Sequence, residues 1–311
     1  MDRDELTVML QKDLADEHAS IIRYLVHAYQ VGENTPFGQM LLATAREEMW
    51  HMDWVGDQLA ELDIEPNMVQ GEYPYDPTSN ASALRSYIDW ERNLIRVYEE
   101  QAEMVEDREL KRVLQQLGWE SITHLKRFEA WLEQLGPDGE KPLTFEESHF
   151  SPHVLQRFER EVDENYRLVL QHLRQAFVFG KEVCPVGSEL ELTAMRHMKH
   201  MSHFAETLAE VGKELPFDFP GIDQSSAARE ALASDLDLTR AARERFTALA
   251  QDPEIEKDRE LKVEIENMIT RNGLLETIVE ELLEEVEDQD QEPHEGGLMP
   301  NRRALGLRWA V

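Results

Sequence analysis

The sequence predicts an all-α protein: two tandem four-helix bundles followed by an extended C-terminal tail. Three observations carry this. Hydrophobic residues make up 41% and charged residues 31% of the 311 residues, with only 15 Gly and 13 Pro, a composition of long amphipathic helices rather than of a turn-rich β protein. Apolar residues recur at helical spacing over long stretches, as amphipathic helices require. One pattern is also written twice. Residues 16–29, DEHASIIRYLVHAY, align with 163–176, DENYRLVLQHLRQA, at an offset of 147, and 44–62, TAREEMWHMDWVGDQLAEL, with 193–211, TAMRHMKHMSHFAETLAEV, at an offset of 149. Self-similarity at a fixed period marks a repeated structural unit. The chain reads as a fused pseudo-dimer with bundles at 1–138 and 153–288, a linker at 139–152 and a tail at 289–311.

In the first bundle the periodicity marks helices over about 4–31, 37–62, 83–106 and 107–135. The turn signal GENTP separates the first two, and Gly136-Pro137 stops the last,. Between the second and third, 63–82 carries Pro66, Gly71, Pro74 and Pro77 and reads as a long crossover. Two helical hairpins joined by one long crossover is the ferritin-like arrangement of a four-helix bundle. A second Pro- and Gly-bearing crossover, 212–226, stands at the corresponding place in the second bundle. The single cysteine, Cys184, beside Pro185 and near Gly187, is expected in a loop, and it excludes an intrachain disulfide or a cysteine metal cluster,.

Sixty-four acidic against 32 basic residues give a net charge of -32, which repels phosphate backbones and anionic lipid. Neither nucleic acid nor membrane is expected as a partner. The opening MDRDELTVML has no basic stretch followed by an apolar one, so a cytoplasmic protein is expected.

The candidate chemistry lies in the first bundle. A carboxylate-bridged metal pair takes one Glu from each of two helices and Glu-x-x-His from the other two, because residues three apart share a helix face. Glu17 and Glu48-x-x-His51 fit this scheme completely. In the second hairpin Glu91 and His124 fit, but Ser121 stands where the second bridging Glu belongs. Glu120, one residue earlier, lies about 100° around the helix and reaches the site only if the helix is shifted or bulged. With 64 acids a coincidental Glu spacing is cheap; two of only 11 histidines, each three residues past a bridging position, are the scarcer match.

The segments DEHASIIRYLVHA, EEMWHMD and ERNLIRVYEEQAEMVEDRELKRVLQQLGWESITHL resemble the bacterioferritin and rubrerythrin branch of the ferritin-like diiron proteins. The resemblance covers most of residues 10–135. It implies iron as the metal, with manganese as an alternative, and O2 or H2O2 as the oxidant. Glu17, Glu48, His51, Glu91 and His124 carry over as ligands, with Ser121 the departure that leaves open two ions or one tight and one weak ion. Tyr24 matches an aromatic position that supplies an electron in bacterioferritins. Met49 matches the position that bacterioferritins use to bind haem across a twofold interface, and Met198 is its repeat counterpart; ordinary methionine packing is the competing reading.

The second bundle lacks this constellation. Glu164 matches Glu17, but His197 replaces Glu48, Gln171 replaces Tyr24, Thr239 replaces Glu91, and Met268 and Arg271 fall where Ser121 and His124 stand. A cationic Arg271 at a ligand position opposes bound cations. His197, His200 and His203 share one helix arc and, with Glu164, have the spacing for a single metal ion; a hydrogen-bonded polar interior is the favoured reading.

After Asp288 the acidic EDQDQEPHE gives way to LMPNRRALGLRWAV, with three Arg and no acid. Such a peptide on a spacer suggests docking, with residues 297–311 engaging a protein partner, another copy of the chain or an encapsulin-type compartment shell. Two functions follow: an oxidoreductase that oxidises Fe(II) with O2 or peroxide, and a non-catalytic scaffold or compartment cargo that acts through its tail.

Overall fold

A computed structural model describes residues 1–180, 184–215, 217–225 and 227–291, with the side chains of 184, 185 and 287–291 left aside. The proposed docking peptide 297–311 lies outside the described residues. Within them the chain is all-helical: α1 (Arg3–Val31), α2 (Pro36–Glu61), α3 (Asn80–Met104), α4 (Arg108–Leu135), a 3-10 turn at Gly136–Glu140, α5 (Pro152–Phe179), α6 (Cys184–Glu210), α7 (Ala228–Ala250) and α8 (Arg259–Gln291). Among the described residues no helix is long and apolar enough to cross a membrane.

Local chemistry sets the helix ends. Asp2 caps α1 in a capping box with Glu5, Thr35 caps α2 ahead of Pro36, Ser79 caps α3 and Asp107 caps α4. Each side chain satisfies a backbone N–H left over at a helix start. Two differences from the sequence expectation have simple causes. The crossover yields Asn80–Ser82 to α3, because Ser79 rather than a later residue accepts the first free N–H, from Ser82. Cys184 is the first residue of α6 rather than part of a loop; Pro185 is compatible with a helix in its first turn, where its missing N–H costs nothing.

The chain divides into two compact units, residues 1–166 with 199–220, and 167–198 with 221–311, so α5 and α6 each contribute to both. In the first unit α1 packs along α2, α3 packs along α4, and α2 meets α4. The crossover between the hairpins is tied to α1: the Gly71 N–H donates to the Ala15 carbonyl at 2.7 Å, and Gln11 bonds both Glu65 and Asn67. Met68 and Tyr73 of the crossover are buried with the helices. In the second unit α7 packs along α8.

The buried stripes of α4 and α8 differ in register. Ser121, His124 and Phe128 are buried on α4, whereas on α8 the buried stripe runs through Ile265, Met268, Asn272, Leu275 and Val279. Arg271 is exposed. The expectation that Arg271 occupies the interior is therefore corrected: after Met268 the stripe steps by four residues to Asn272, not by three, and the cation stays in solvent.

Candidate metal centre

Four helices of the first unit deliver Glu17 (α1), Glu48 and His51 (α2), Glu91 (α3) and His124 (α4), each at most 1% exposed. They form two groups, Glu17 with Glu48 and His51, and Glu48 with Glu91 and His124, in which the potential ligand atoms lie within 4.8 Å of one another. Glu48 belongs to both. Its Oε2 is 2.7 Å from His51 Nδ1, and its Oε1 is 3.0 Å from His124 Nδ1. Glu17 Oε2 lies 3.4 Å from His51 Nδ1 and Glu91 Oε1 3.5 Å from His124 Nδ1. One carboxylate thus spans two half-sites, as a bridging ligand does.

The outer side of each imidazole is held by a carboxylate. His51 Nε2 donates to Glu120 Oε2 at 2.9 Å, and His124 Nε2 donates to Glu47 Oε2 at 2.8 Å. An ionised carboxylate only accepts, so the proton sits on Nε2 and the lone pair of a neutral ring points inward from Nδ1. Such outer carboxylates fix the tautomer and orientation of metal-binding histidines. Glu120, a candidate ligand from the sequence if α4 were shifted or bulged, belongs to neither group; its place is behind His51, consistent with an unshifted α4. Glu47 is held in turn by Arg127, at 2.9 and 3.1 Å. Burial alone raises its carboxyl, but the bonds from His124 and Arg127 outweigh this and bring it down to about 2.

Two tyrosines complete the terminal carboxylates. Tyr24 donates to Glu91 Oε1 at 2.7 Å, and Tyr98 donates to Glu17 Oε1. Tyr24 follows Glu17 by seven residues, and Tyr98 follows Glu91 by seven. The centre therefore has an internal twofold pattern in which α1 and α2 mirror α3 and α4: Glu17 with Glu91, Tyr24 with Tyr98, Glu47 with Glu120, His51 with His124. Only Glu48 and Ser121 break it. The sequence signal for Tyr98 and Glu47 was this same repetition, and it is visible only once both hairpins are laid over each other.

The buried ligand atoms face one another across the centre. Glu17 Oε2, both oxygens of Glu48, His51 Nδ1, Glu91 Oε2 and His124 Nδ1 are buried and make no hydrogen bond. Burial and the neighbouring Glu48 charge push Glu17 up to about 8, and the same two causes raise Glu91. Burial opposes the charged forms of His51 and His124, but Glu48 and the other carboxylates around them prevail and raise both. Uncompensated buried donors and acceptors facing one another are costly, and a divalent cation satisfies all of them at once.

The family model described as a ferritin-like domain matches residues 8–136. This segment is a ferritin-like domain. No curated protein and no solved structure matches the chain. The ferritin-like match spans the hairpins that carry the centre and stops at the 3-10 turn after α4. Met49 and Met198 are both half-buried and fall in different compact units. Glu164, His197, His200 and His203 form no group of donors at ligand distance among the described residues.

Proposed function

We propose that the ferritin-like domain binds two ferrous ions, one between Glu17, Glu48 and His51 and one between Glu48, Glu91 and His124, and oxidises them with O2 or H2O2. The observation that carries this reading is the set of six buried, unpartnered ligand atoms arranged as two groups that share Glu48. Glu17, Glu48, Glu91, Glu47 and Glu120 with Arg127 leave four negative charges around the centre, matching the four positive charges of two ferrous ions. Carboxylate and imidazole donors suit iron or manganese, and hard carboxylates favour the ferric product.

With H2O2, two Fe(II) each give one electron, and the peroxide with two protons leaves as two waters. With O2, the same two electrons and two protons yield H2O2. Outer carboxylates keep both Nδ1 lone pairs inward, and the apolar bundle wall keeps bulk water away. Where a single Fe(II) meets H2O2, Tyr24, bonded to Glu91, is assigned to give the second electron together with its phenolic proton, leaving a tyrosyl radical, and one further proton completes the two waters. We assign the domain to the bacterioferritin and rubrerythrin branch because its segments resemble theirs, and read the second half as a duplicated bundle without the diiron constellation because of the two sequence offsets.

The test is anaerobic loading with Fe(II) followed by oxygenation or peroxide. Ferric absorbance should develop at two irons per chain and vanish in Glu48→Ala. No ferric signal from a folded protein that has bound Fe(II) would sink the oxidase reading, and retention of manganese in preference to iron would redirect it to that metal.

A further inference from the structure

We propose that the second compact unit holds a single divalent transition-metal ion between His172, Asp235 and His197, separate from the ferritin-like centre. His172 Nδ1 lies 2.7 Å from the Leu168 carbonyl oxygen. A carbonyl only accepts, so the ring proton is on Nδ1, and a neutral ring turns the Nε2 lone pair away from its own helix. That nitrogen faces Asp235 Oδ2 at 3.7 Å. Both side chains are 0% exposed, and neither atom has a hydrogen-bond partner.

Two lone pairs thus confront each other in the interior, at a distance beyond the usual N–H···O range. The spacing suits a shared ion instead: donors each about 2.1 Å from one metal and 3.7 Å apart subtend roughly 120°. The carboxylate is built for this orientation. Its Oδ1 accepts from the side-chain amides of Gln171 and of Gln175, the latter at 3.0 Å, which leaves Oδ2 for His172. Burial raises the Asp235 carboxyl, and His172 and the two glutamines counter it only in part; a cation removes the penalty.

The third donor is assigned to His197 of α6. The His197 ring stacks on that of His172 at 5.4 Å and 23°. Three donor atoms here do not yet lie within the 4.8 Å spread of the first centre's groups, so binding requires the His197 ring to swing toward the pair. Two imidazoles and one carboxylate select a first-row transition ion over magnesium or calcium. Arg271 is exposed, and Asn272, with both amide atoms unpartnered, takes the buried position; the buried Arg174 of α5 donates to the Ser225 carbonyl oxygen. One carboxylate without a bridging partner holds one ion, not two.

The test uses the full chain with the first centre disabled by Glu48→Ala and His124→Ala, stripped with chelator and equilibrated with Zn2+ as the probe. One Zn2+ per chain is expected, with X-ray absorption showing imidazole scattering. Asp235→Asn and His172→Gln should each weaken retention by at least about tenfold. A folded chain that binds no Zn2+, or one whose bound Zn2+ survives both substitutions unchanged, overturns the proposal. A second measurement does not depend on the disabled background: in the otherwise unaltered chain His172→Gln should bind one ion fewer than its parent. Equal stoichiometry there also overturns it.

Discussion

The serine hydroxyl at position 121 brings neither the charge nor the second oxygen that Glu48 brings from the facing helix. Ser121 is 1% exposed, so a glutamate placed there has no route to solvent and must find a cation or a proton. The consequences of Ser121→Glu therefore differ in sign with metal. Without metal the extra buried carboxylate should destabilise the chain by roughly 1–3 kcal/mol; with Fe(II) or Mn(II) present the second bridge should raise the melting temperature above that of the parent. Thermal denaturation with and without metal checks both signs, and a shift in the same direction under both conditions would contradict the bridging geometry. Glu120 makes a second case. Removing it in Glu120→Ala frees His51 to turn and should weaken metal binding about 10–100-fold, while Glu120→Gln, whose amide oxygen still accepts from Nε2, should recover much of the loss in a competition titration.

At the scale of elements, α1 and α3 are joined by His27. Its Nε2 is 2.9 Å from Asn80 Oδ1 and its Nδ1 3.0 Å from the Tyr87 hydroxyl, with Phe37 of α2 against the ring. One neutral tautomer satisfies both bonds. Burial lowers its pKa to about 4, against about 6.5 in an unfolded chain. Between these values the unfolded chain takes up a proton that the native chain refuses. The stabilisation is thus complete above about pH 6.5 and is lost as pH falls toward 4. His27→Gln should flatten the fall in urea midpoint between pH 7 and pH 5; an unchanged slope would mean that the site is not the one responding. The turn before α2 is equally specific. A Cβ on Gly38 would lie 2.1 Å from the Gly32 carbonyl oxygen, so Gly38→Ala must displace backbone and should cost at least about 1–3 kcal/mol in denaturant unfolding. Elements of this kind were largely legible in the sequence, because helical periodicity, caps and prolines are local signals. The helix that begins at Cys184 was not, since a Cys-Pro pair near Gly has the composition of a loop as well as of a first helical turn. Glu17, Glu48, His51, Glu91 and His124 were legible because their spacing is fixed by the helix repeat. Tyr98 stands seven residues after Glu91 as Tyr24 does after Glu17, a signal that shows only when the two hairpins are laid over each other. Glu47 was harder to read, because whether a charged residue one position off a ligand faces another helix depends on packing across the bundle. Asn272 was hidden for the same reason, by a single-residue change of register.

For the molecule as a whole the governing quantity is its net charge of -32. Such an excess acts in two ways that salt separates. Like charges repel more in the compact state than in the extended one, so screening should stabilise the fold; the same field attracts divalent cations, so on the proposed function screening should slow the capture of Fe(II). The Debye length shrinks from about 30 Å at 0.01 M to about 8 Å at 0.15 M, which removes most interaction between distant surface acids while leaving the buried centre little affected. Raising NaCl over this range should therefore increase the melting temperature of the metal-free chain, and decrease the initial rate of Fe(II) oxidation at limiting iron by up to about tenfold, with the final ferric yield unchanged. Thermal scans and stopped-flow absorbance on one preparation test the pair. Rates that hold steady while stability climbs would assign the acidic surface to solvation alone, and a melting temperature that falls with salt would mean that attractive ion pairs outweigh the repulsion.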